Sequence, residues 1–328
     1  MEKYLKYFLI LSFVFLFLSC GKSAEQKRED AVLSANILLS TRQCQAAIDL
    51  LEAVGRDTYY GKYMQTLASA YACKAGFAEP TFFANELAKL GAPSAFGGLT
   101  RFTLASTMTA YNSDNFLALQ DAINVLLYAG GVSSSLDPTS ARRESGLSSN
   151  DAQDLNAQLM YLVLTQIGLY LYYYGDSSST GVKGSGAGTN TCLANYSNVA
   201  LNVGADLTTF LGTGATGTCI AINTGHTALG VQGSLNVKRM CQGVVLLNTF
   251  IDVFPSVLGS ITGNDLSAVS AITAVITAAK LAVTTAKTGA QMTTLLNTLN
   301  QANCEADNAS DTQYLQVYFA LMYEVLFQ

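Results

Sequence analysis

The side chains best suited to chemistry in this chain are its seven cysteines and its single histidine. Apart from Cys20 near the start, six cysteines are scattered over the chain, which is typical of disulfides in a protein exported to an oxidising compartment. Six cysteines allow about 15 connectivities, and the sequence alone does not choose among them. Proximity along the chain favours three pairs: Cys44–Cys73, Cys192–Cys219 and Cys241–Cys304.

The single histidine, His226, lies in a loop rich in glycine and threonine. A structural zinc site needs clustered cysteine and histidine ligands, so no metal site is predicted. Neither a nearby acid nor a strand–turn–helix nucleophile motif accompanies His226, which argues against Ser-His-Asp or Cys-His catalysis. Paired carboxylates for glycoside cleavage stay open, because such groups meet only in space. We expect a protein that is not an enzyme and that uses no cofactor.

Residues 1–19 have the three parts of a secretory signal peptide. Lys3 and Lys6 give a positive start, residues 7–18 form an apolar run, and Ser19 is a small residue directly before Cys20. This order predicts export, with cleavage immediately before Cys20. A plain signal peptide or an uncleaved anchor is the alternative.

The segment 17–21 (FLSCG) resembles the lipobox of bacterial lipoproteins, in which a diacylglycerol is added to the cysteine thiol and the new amine is usually acylated. Phe17 departs from the Leu, Val or Ile that is commoner at its position. The resemblance implies a covalent lipid on Cys20 and a lipidated tether over 20–30. Gly21 follows Cys20, where an Asp would signal retention in the inner membrane. An outer-membrane lipoprotein is therefore implied, with the periplasmic face favoured and surface exposure left open.

The formal net charge is −5 at pH 7, and charged residues make up only 12% of the chain. A nucleic-acid-binding protein would show a basic stripe, so no nucleic acid is predicted as a partner. Hydrophobic residues make up 50% of the chain, enough to bury a sizeable core in one large or two smaller domains. Only four prolines and long stretches without helix breakers predict an all-α fold.

Helical periodicity runs from residue 31 to residue 174 and defines a predicted N-terminal helical region. Its first helices are predicted at 31–42, 45–54 and 58–74, and Pro80 lies in the first turn of a fourth. The third helix carries a spaced motif, Met64-x2-Leu67-Ala68-x2-Tyr71.

This motif is similar to the first helix of a tetratricopeptide repeat. Ala35 fills the same small position one repeat length upstream, and Ala47-x3-Leu51 resembles the second helix. Met64 in place of an aromatic and Pro80 in place of alanine are departures. The resemblance covers roughly 30–90 and implies helical hairpins packed as an irregular α-solenoid bundle. An irregular hairpin without repeat ancestry is the alternative.

Two more helices are predicted at 94–111 and 115–128, followed by a serine-rich surface loop over 132–150. Within that loop, Arg142-Arg143-Glu144 is interpreted as a solvated charge cluster, with anion binding as the alternative. The segment 151–174 is predicted to be the most apolar helix, and its part 159–174 is nearly apolar all round. This part is shorter than the roughly twenty residues needed to cross a bilayer, which predicts a buried central helix. Four tyrosines at its end either pack ordinarily, line an aromatic pocket or lie at a lipid interface: Tyr170, Tyr172, Tyr173 and Tyr174.

The glycine- and serine-rich segment 175–191 lacks Walker spacing and is predicted to be a flexible linker. A C-terminal helical region follows over 192–328. Its helices are predicted at 192–211, 234–253, 264–286, 291–303 and 311–327. Phe254-Pro255 is expected to break or kink the second of these, and strand pairing is limited to brief stretches such as 219–223.

Two main functions fit these observations. The first is a lipid-anchored helical scaffold or interaction protein on the periplasmic side of the bacterial envelope, with an envelope protein as partner. The second is a small-molecule or lipid-binding lipoprotein that serves a transporter, with the tyrosines lining its pocket. A solid core with an exposed groove favours the first function, whereas a deep apolar cavity favours the second. A third possibility, membrane perturbation by the helix over 266–283, requires that helix to leave its packing.

Overall fold

The computed structural model describes residues 22–77, 112–175, 191–194, 221–222, 229–231, 234–258 and 266–324. Within these ranges the chain forms eleven α-helices, which confirms the predicted all-α class. The first six are α1 (Ala24–Ser40), α2 (Cys44–Ala53), α3 (Gly61–Lys74), α4 (Asp114–Leu127), α5 (Ser140–Gly146) and α6 (Ser149–Tyr174). The others are α7 (Val237–Leu258), α8 (Leu266–Ala286), α9 (Ala290–Leu295), α10 (Gln301–Asn308) and α11 (Gln313–Tyr318).

Short elements complete the described chain. A 3-10 turn spans Ala129–Gly131, and a π-helical segment, Phe319–Glu324, continues α11. The two-residue strands β1 (Thr191–Cys192) and β2 (Ala221–Ile222) pair in parallel. The strands β3 (Gly230–Val231) and β4 (Ser234–Leu235) pair antiparallel just before α7.

Helix α1 begins earlier in the chain than the sequence pattern predicts. Ser23 accepts a hydrogen bond from the Gln26 backbone N–H, and the Gln26 side chain accepts one from the Ser23 N–H, which forms a capping box. The polar residues 24–30, predicted to be a tether, are therefore helical. Only residues 21–23 separate Cys20 from the helix.

Helix α6 is the centre of the bundle. Every residue from Leu162 to Leu171 is buried, which confirms the predicted central helix. Two of its buried polar side chains donate to carbonyl groups: Thr165 to Tyr161 in the same helix, and Gln166 to Phe116 on α4. Helix α6 packs against α3, α4 and α7, so helices on both sides of the predicted linker share one hydrophobic core.

Two C-terminal helices differ from their predicted bounds. Helix α7 continues through Pro255 to Leu258, because the buried side chains of Phe254 and Val257 hold its last turn in the core. The predicted helix over 291–303 is instead divided into α9 and α10. The Asn300 side chain accepts hydrogen bonds from the N–H groups of residues 302 and 303, and it therefore starts a new helix there.

Some predicted elements lie outside the described residues. These are the helices expected over 80–90 and 94–111 and nearly all of the 175–191 linker. The helix predicted over 192–211 is described only at its start, where Cys192 belongs to a two-residue strand instead. The tetratricopeptide-like relationship between α1, α2 and α3 stays a prediction, although these three helices do pack against one another.

Candidate functional site

Two of the three predicted disulfides are present. Cys44 at the start of α2 is bonded to Cys73 near the end of α3, with 5.6 Å between their Cα atoms. Cys241 in α7 is bonded to Cys304 in α10, with a Cα–Cα distance of 5.7 Å. Each bond therefore joins two helices that pack side by side.

The third predicted pair lies partly outside the described residues. Cys192 is buried and disulfide-bonded. The pairing of β1 with β2 places Cys192 beside Ile222, three positions after Cys219. Cys219 itself is outside the described residues, so the Cys192–Cys219 bond stays a prediction. The same holds for the lipidation site, Cys20.

The four tyrosines at the end of α6 occupy different environments. Tyr170 and Tyr174 are fully buried with ring centroids 4.5 Å apart, Tyr173 packs edge-on against Tyr174, and Tyr172 is half-buried. The Tyr170 hydroxyl donates to the Arg239 carbonyl over 3.0 Å. Burial raises the pKa of Tyr170 well above its usual value. These rings form a packed cluster, and the predicted aromatic pocket stays a hypothesis.

An open groove of about 520 Å³ lies between α1, α3 and α6. It is called the α1–α3–α6 groove below. Polar side chains dominate its lining, and they come from all three helices: Asn36 from α1, Lys62, Gln65 and Ser69 from α3, and Asp154 and Gln158 from α6.

Two contacts hold α6 in position along this groove. The Gln158 side-chain amide donates to the Gln65 carbonyl over 3.2 Å and to Ser69 Oγ over 2.8 Å. At the start of α3, a Cβ added at Gly61 would lie 2.6 Å from the Asp151 Cβ, so this close approach requires glycine. The groove therefore has walls fixed by specific side chains.

The chemistry of the groove suits a peptide more than an apolar small molecule. Side-chain amides such as Asn36 and Gln65 both donate and accept hydrogen bonds, as peptide groups do. Lys62 and Asp154 are exposed and opposite in charge. An extended segment can satisfy such a lining through its own backbone groups.

A buried ion pair lies where the sequence predicted a surface loop. Residues 140–146 form α5, and Arg143 within it is fully buried, which corrects the interpretation of Arg142-Arg143-Glu144 as a solvated cluster. Arg142 and Glu144 are exposed as expected. Arg143 faces α7 because the N-cap of α5, Thr139, sets the helix direction and Asp252 on α7 supplies the opposite charge.

The Arg143 guanidinium is held by several groups. Nε donates to Asn156 Oδ1 over 2.9 Å, Nη1 donates to the Pro138 carbonyl, and Nη2 lies 3.6 Å from Asp252 Oδ2. Burial lowers the pKa of Arg143 to about 10, and the negative charge of Asp252 partly offsets this effect. Since these contacts join α5 to α6 and α7, we interpret the pair as structural.

Within the described part of the chain, no three His, Cys, Asp or Glu side chains are grouped so as to hold a metal ion. In the same part, one helix, Val237–Val257, is long and apolar enough to cross a membrane. A core helix of a water-soluble protein passes the same test, and 78% of the apolar window in this helix is buried against the rest of the chain.

No protein-family model, curated protein or solved structure matches this chain.

Proposed function

We propose that this chain is a lipid-anchored interaction protein of the bacterial cell envelope, held through Cys20 and binding a protein partner in the α1–α3–α6 groove. The observation that carries the proposal is the groove itself, an open polar channel of about 520 Å³. The rings of Tyr170 and Tyr174 are buried against each other, which favours this function over a ligand pocket lined by these tyrosines.

The lining of the groove indicates the kind of partner. Asn36 and Gln65 present amide groups, and Gln158 presents its amide oxygen, because its NH2 group already donates two hydrogen bonds within the chain. Exposed Lys62 and Asp154 offer one charge of each sign. Such a surface pairs with the N–H and C=O groups of an extended segment and with its charged side chains. We propose that the partner presents an extended peptide segment, and that α1–α3 act as tetratricopeptide-like hairpins that display the groove.

The disulfides support the proposed compartment. Cys44–Cys73 and Cys241–Cys304 both join packed helices, and such bonds persist in the oxidising periplasm or at the cell surface. Together with the lipobox-like segment at 17–21, they favour an envelope location. We place the protein on the periplasmic face of the outer membrane.

The short connection between Cys20 and α1 limits where a partner can bind. Three extended residues reach about 10 Å, and the helix from Ala24 to Asn36 adds about 18 Å. With the lipid in the bilayer, the start of the groove stays within about 30 Å of the headgroups. This reach favours a partner in, or bound to, the same membrane.

Site-directed crosslinking in the native envelope tests the proposal. A photoreactive amino acid replaces Lys62 in the groove or, as the matched control, Lys74 at the other end of α3; both side chains are exposed. We expect position 62 to capture one envelope protein repeatedly and position 74 to capture it far less. Equal capture at the two positions, or capture of lipid alone, contradicts a partner in the groove.

A further inference from the structure

A second cavity lies on another part of the molecule, between α4 and the start of α7. This cleft has a volume of about 230 Å³ and is bounded at one end by Leu299 and Gln301. The Gln301 side chain donates to the Lys238 carbonyl over 2.8 Å, which fixes this end of the cleft. The cleft shares no lining residue with the α1–α3–α6 groove.

A chain of hydrogen bonds crosses the cleft wall from α7 to α4. Arg239 Nη1 donates to Gln242 Oε1 over 3.3 Å, and Gln242 Nε2 donates to Gln120 Oε1 over 3.4 Å. Gln120 Nε2 then donates to Asn124 Oδ1 over 3.2 Å. These bonds leave at least one N–H of each amide group unused, so the wall can offer N–H donors to a ligand beside the two cations.

The charges at the cleft are positive. Lys238 and Arg239 both line it, none of its described lining residues is acidic, and the whole chain carries a net charge of −5. The nearby carboxylate of Glu305 accepts a hydrogen bond from Gln301. Both cations lie in the first turn of α7, where the helix dipole disfavours positive charge. A bound anion would be stabilised by the cations and by the helix dipole together.

The remaining lining is apolar. Leu246 is 1% exposed and Val245 is 6% exposed, and they form the floor of the cleft. Leu117 lies at the rim with 41% of its surface exposed, which is high for a large apolar side chain. An apolar group placed on these side chains would remove their remaining surface from water.

We propose that this cleft binds a small organic carboxylate, with its carboxylate group at Lys238 and Arg239 and its apolar body on Leu117, Val245 and Leu246. The cations and the amide N–H groups recognise the anion, and the apolar floor selects against small inorganic anions. This ligand site is additional to the partner groove and does not depend on it.

Calorimetric titration of the mature chain carrying Cys20→Ala tests the proposal, because this variant needs no detergent that would absorb the probe. The probes are octanoate, the uncharged octanamide and inorganic phosphate. We expect octanoate to bind with one-to-one stoichiometry, and octanamide and phosphate to bind at least about tenfold more weakly.

Two substitutions locate the site. Lys238→Gln removes an exposed cation and should weaken octanoate binding by about tenfold or more. Leu117→Asp places a negative charge at the exposed rim and should abolish binding. Lys74→Gln, which removes an exposed cation at the end of α3 outside both cavities, is the matched control and should leave octanoate affinity unchanged. Thermal melting of each variant confirms that it folds.

Several results would overturn the assignment. If octanamide binds as tightly as octanoate, the cleft does not recognise the carboxylate. If phosphate binds as tightly as octanoate, the cleft does not recognise the apolar body. If both Lys238→Gln and Leu117→Asp bind octanoate as tightly as the parent chain, octanoate binds outside this cleft. If the parent chain does not bind octanoate at millimolar concentration, the proposed ligand site is wrong. The crosslinking at position 62 is independent of every one of these outcomes.

Discussion

The Nη2 atom of Arg143 lies 3.6 Å from Oδ2 of Asp252, and this ion pair joins α5 to the second half of α7. The Arg143 side chain is fully buried, whereas the Asp252 side chain keeps 22% of its surface exposed. Asp252 also accepts a hydrogen bond from the Ser140 backbone N–H over 2.7 Å. A segment with the composition of a surface loop is thus attached to the central helices by one arginine and one aspartate.

Loss of the carboxylate at this pair should destabilise the protein strongly. Asp252→Asn leaves the buried Arg143 cation without its counter-charge, and breaking a buried pair in this way typically costs about 3–5 kcal/mol. We expect a lower free energy of unfolding by roughly that amount in urea denaturation at pH 7. The double variant Arg143→Met with Asp252→Asn should recover part of the loss, since no buried charge remains.

A matched control for this prediction is Asp307→Asn, which makes the same acid-to-amide change at an exposed side chain on α10. Its effect should stay within about 0.5 kcal/mol. An Asp252→Asn variant as stable as Asp307→Asn would show that the ion pair contributes nothing to the attachment of α5.

The disulfides should stabilise the fold to different extents. Cys44–Cys73 closes a loop with a sequence separation of 29, and Cys241–Cys304 closes one of 63. Loop-closure entropy predicts losses of about 3.6 and about 4.3 kcal/mol when each pair is replaced by alanine. Urea unfolding of the two paired variants measures both values.

Peptide mapping without reductant should find none of these four thiols free, and alkylation of any of them in the native protein would contradict the assigned bonds.

Tyr63 should make stability depend on pH in the alkaline range. Burial raises the pKa of Tyr63 to about 12, and its hydroxyl donates to the Leu51 carbonyl over 2.9 Å. The unfolded chain releases this proton near pH 10, so the contribution is complete below pH 10 and is lost as pH rises towards 12. Each pH unit in that interval should cost at most about 1.4 kcal/mol.

Tyr63→Phe tests this linkage, with Tyr59→Phe as the control because the Tyr59 side chain is exposed. Urea unfolding should be measured between about pH 8 and about pH 11, around the ordinary pKa of tyrosine. Over this range the free energy of unfolding should fall less steeply with pH for Tyr63→Phe than for the parent. A decline as steep as that of the parent would mean that the Tyr63 hydroxyl ionises at the same pH in folded and unfolded chains. Tyr170, Tyr318 and Tyr323, whose pKa values are also raised by burial, still contribute to the slope in both variants.

Helical class, the central helix and two cysteine pairs were all predictable from the sequence. The helical class follows from long stretches without helix breakers, and the central helix follows from the nearly apolar run over 159–174. The Cys44–Cys73 pair follows from two consecutive predicted helices, whereas Cys241–Cys304, with a sequence separation of 63, was favoured only by proximity along the chain. The short spacing between Cys44 and Cys73 sufficed, because consecutive helices in an α-hairpin are in contact. Elements predicted from local signals are found in the structure because packing in the fold stabilises the same elements.

What the sequence did not predict depends on side chains far apart in the chain. Nothing near Arg143 indicates that Asp252 will meet it, so a polar, serine-rich segment reads as a loop. Asn300 divides a predicted helix because its side chain competes for backbone N–H groups, an effect that apolar periodicity does not detect.

The groove and the cleft were missed for the same reason. Gln65 and Gln158 look like ordinary polar residues on amphipathic helices until α3 and α6 pack together. Lys238 and Gln120 likewise line one cleft only because the fold brings α7 next to α4. The close approach at Gly61 leaves one sequence signal, a glycine at the start of a helix, but its partner Asp151 is not predictable from the sequence.

The lipid on Cys20 is the central claim of this account, because the compartment and the reach of the groove both depend on it. Mass spectrometry of the N-terminal peptide from the protein purified out of membranes tests it directly. We predict a peptide that begins at Cys20 and carries a diacylglyceryl group, and a Cys20→Ala variant that leaves the membrane fraction. A mature chain that begins elsewhere, or a Cys20 with an unmodified thiol, would contradict the lipid anchor.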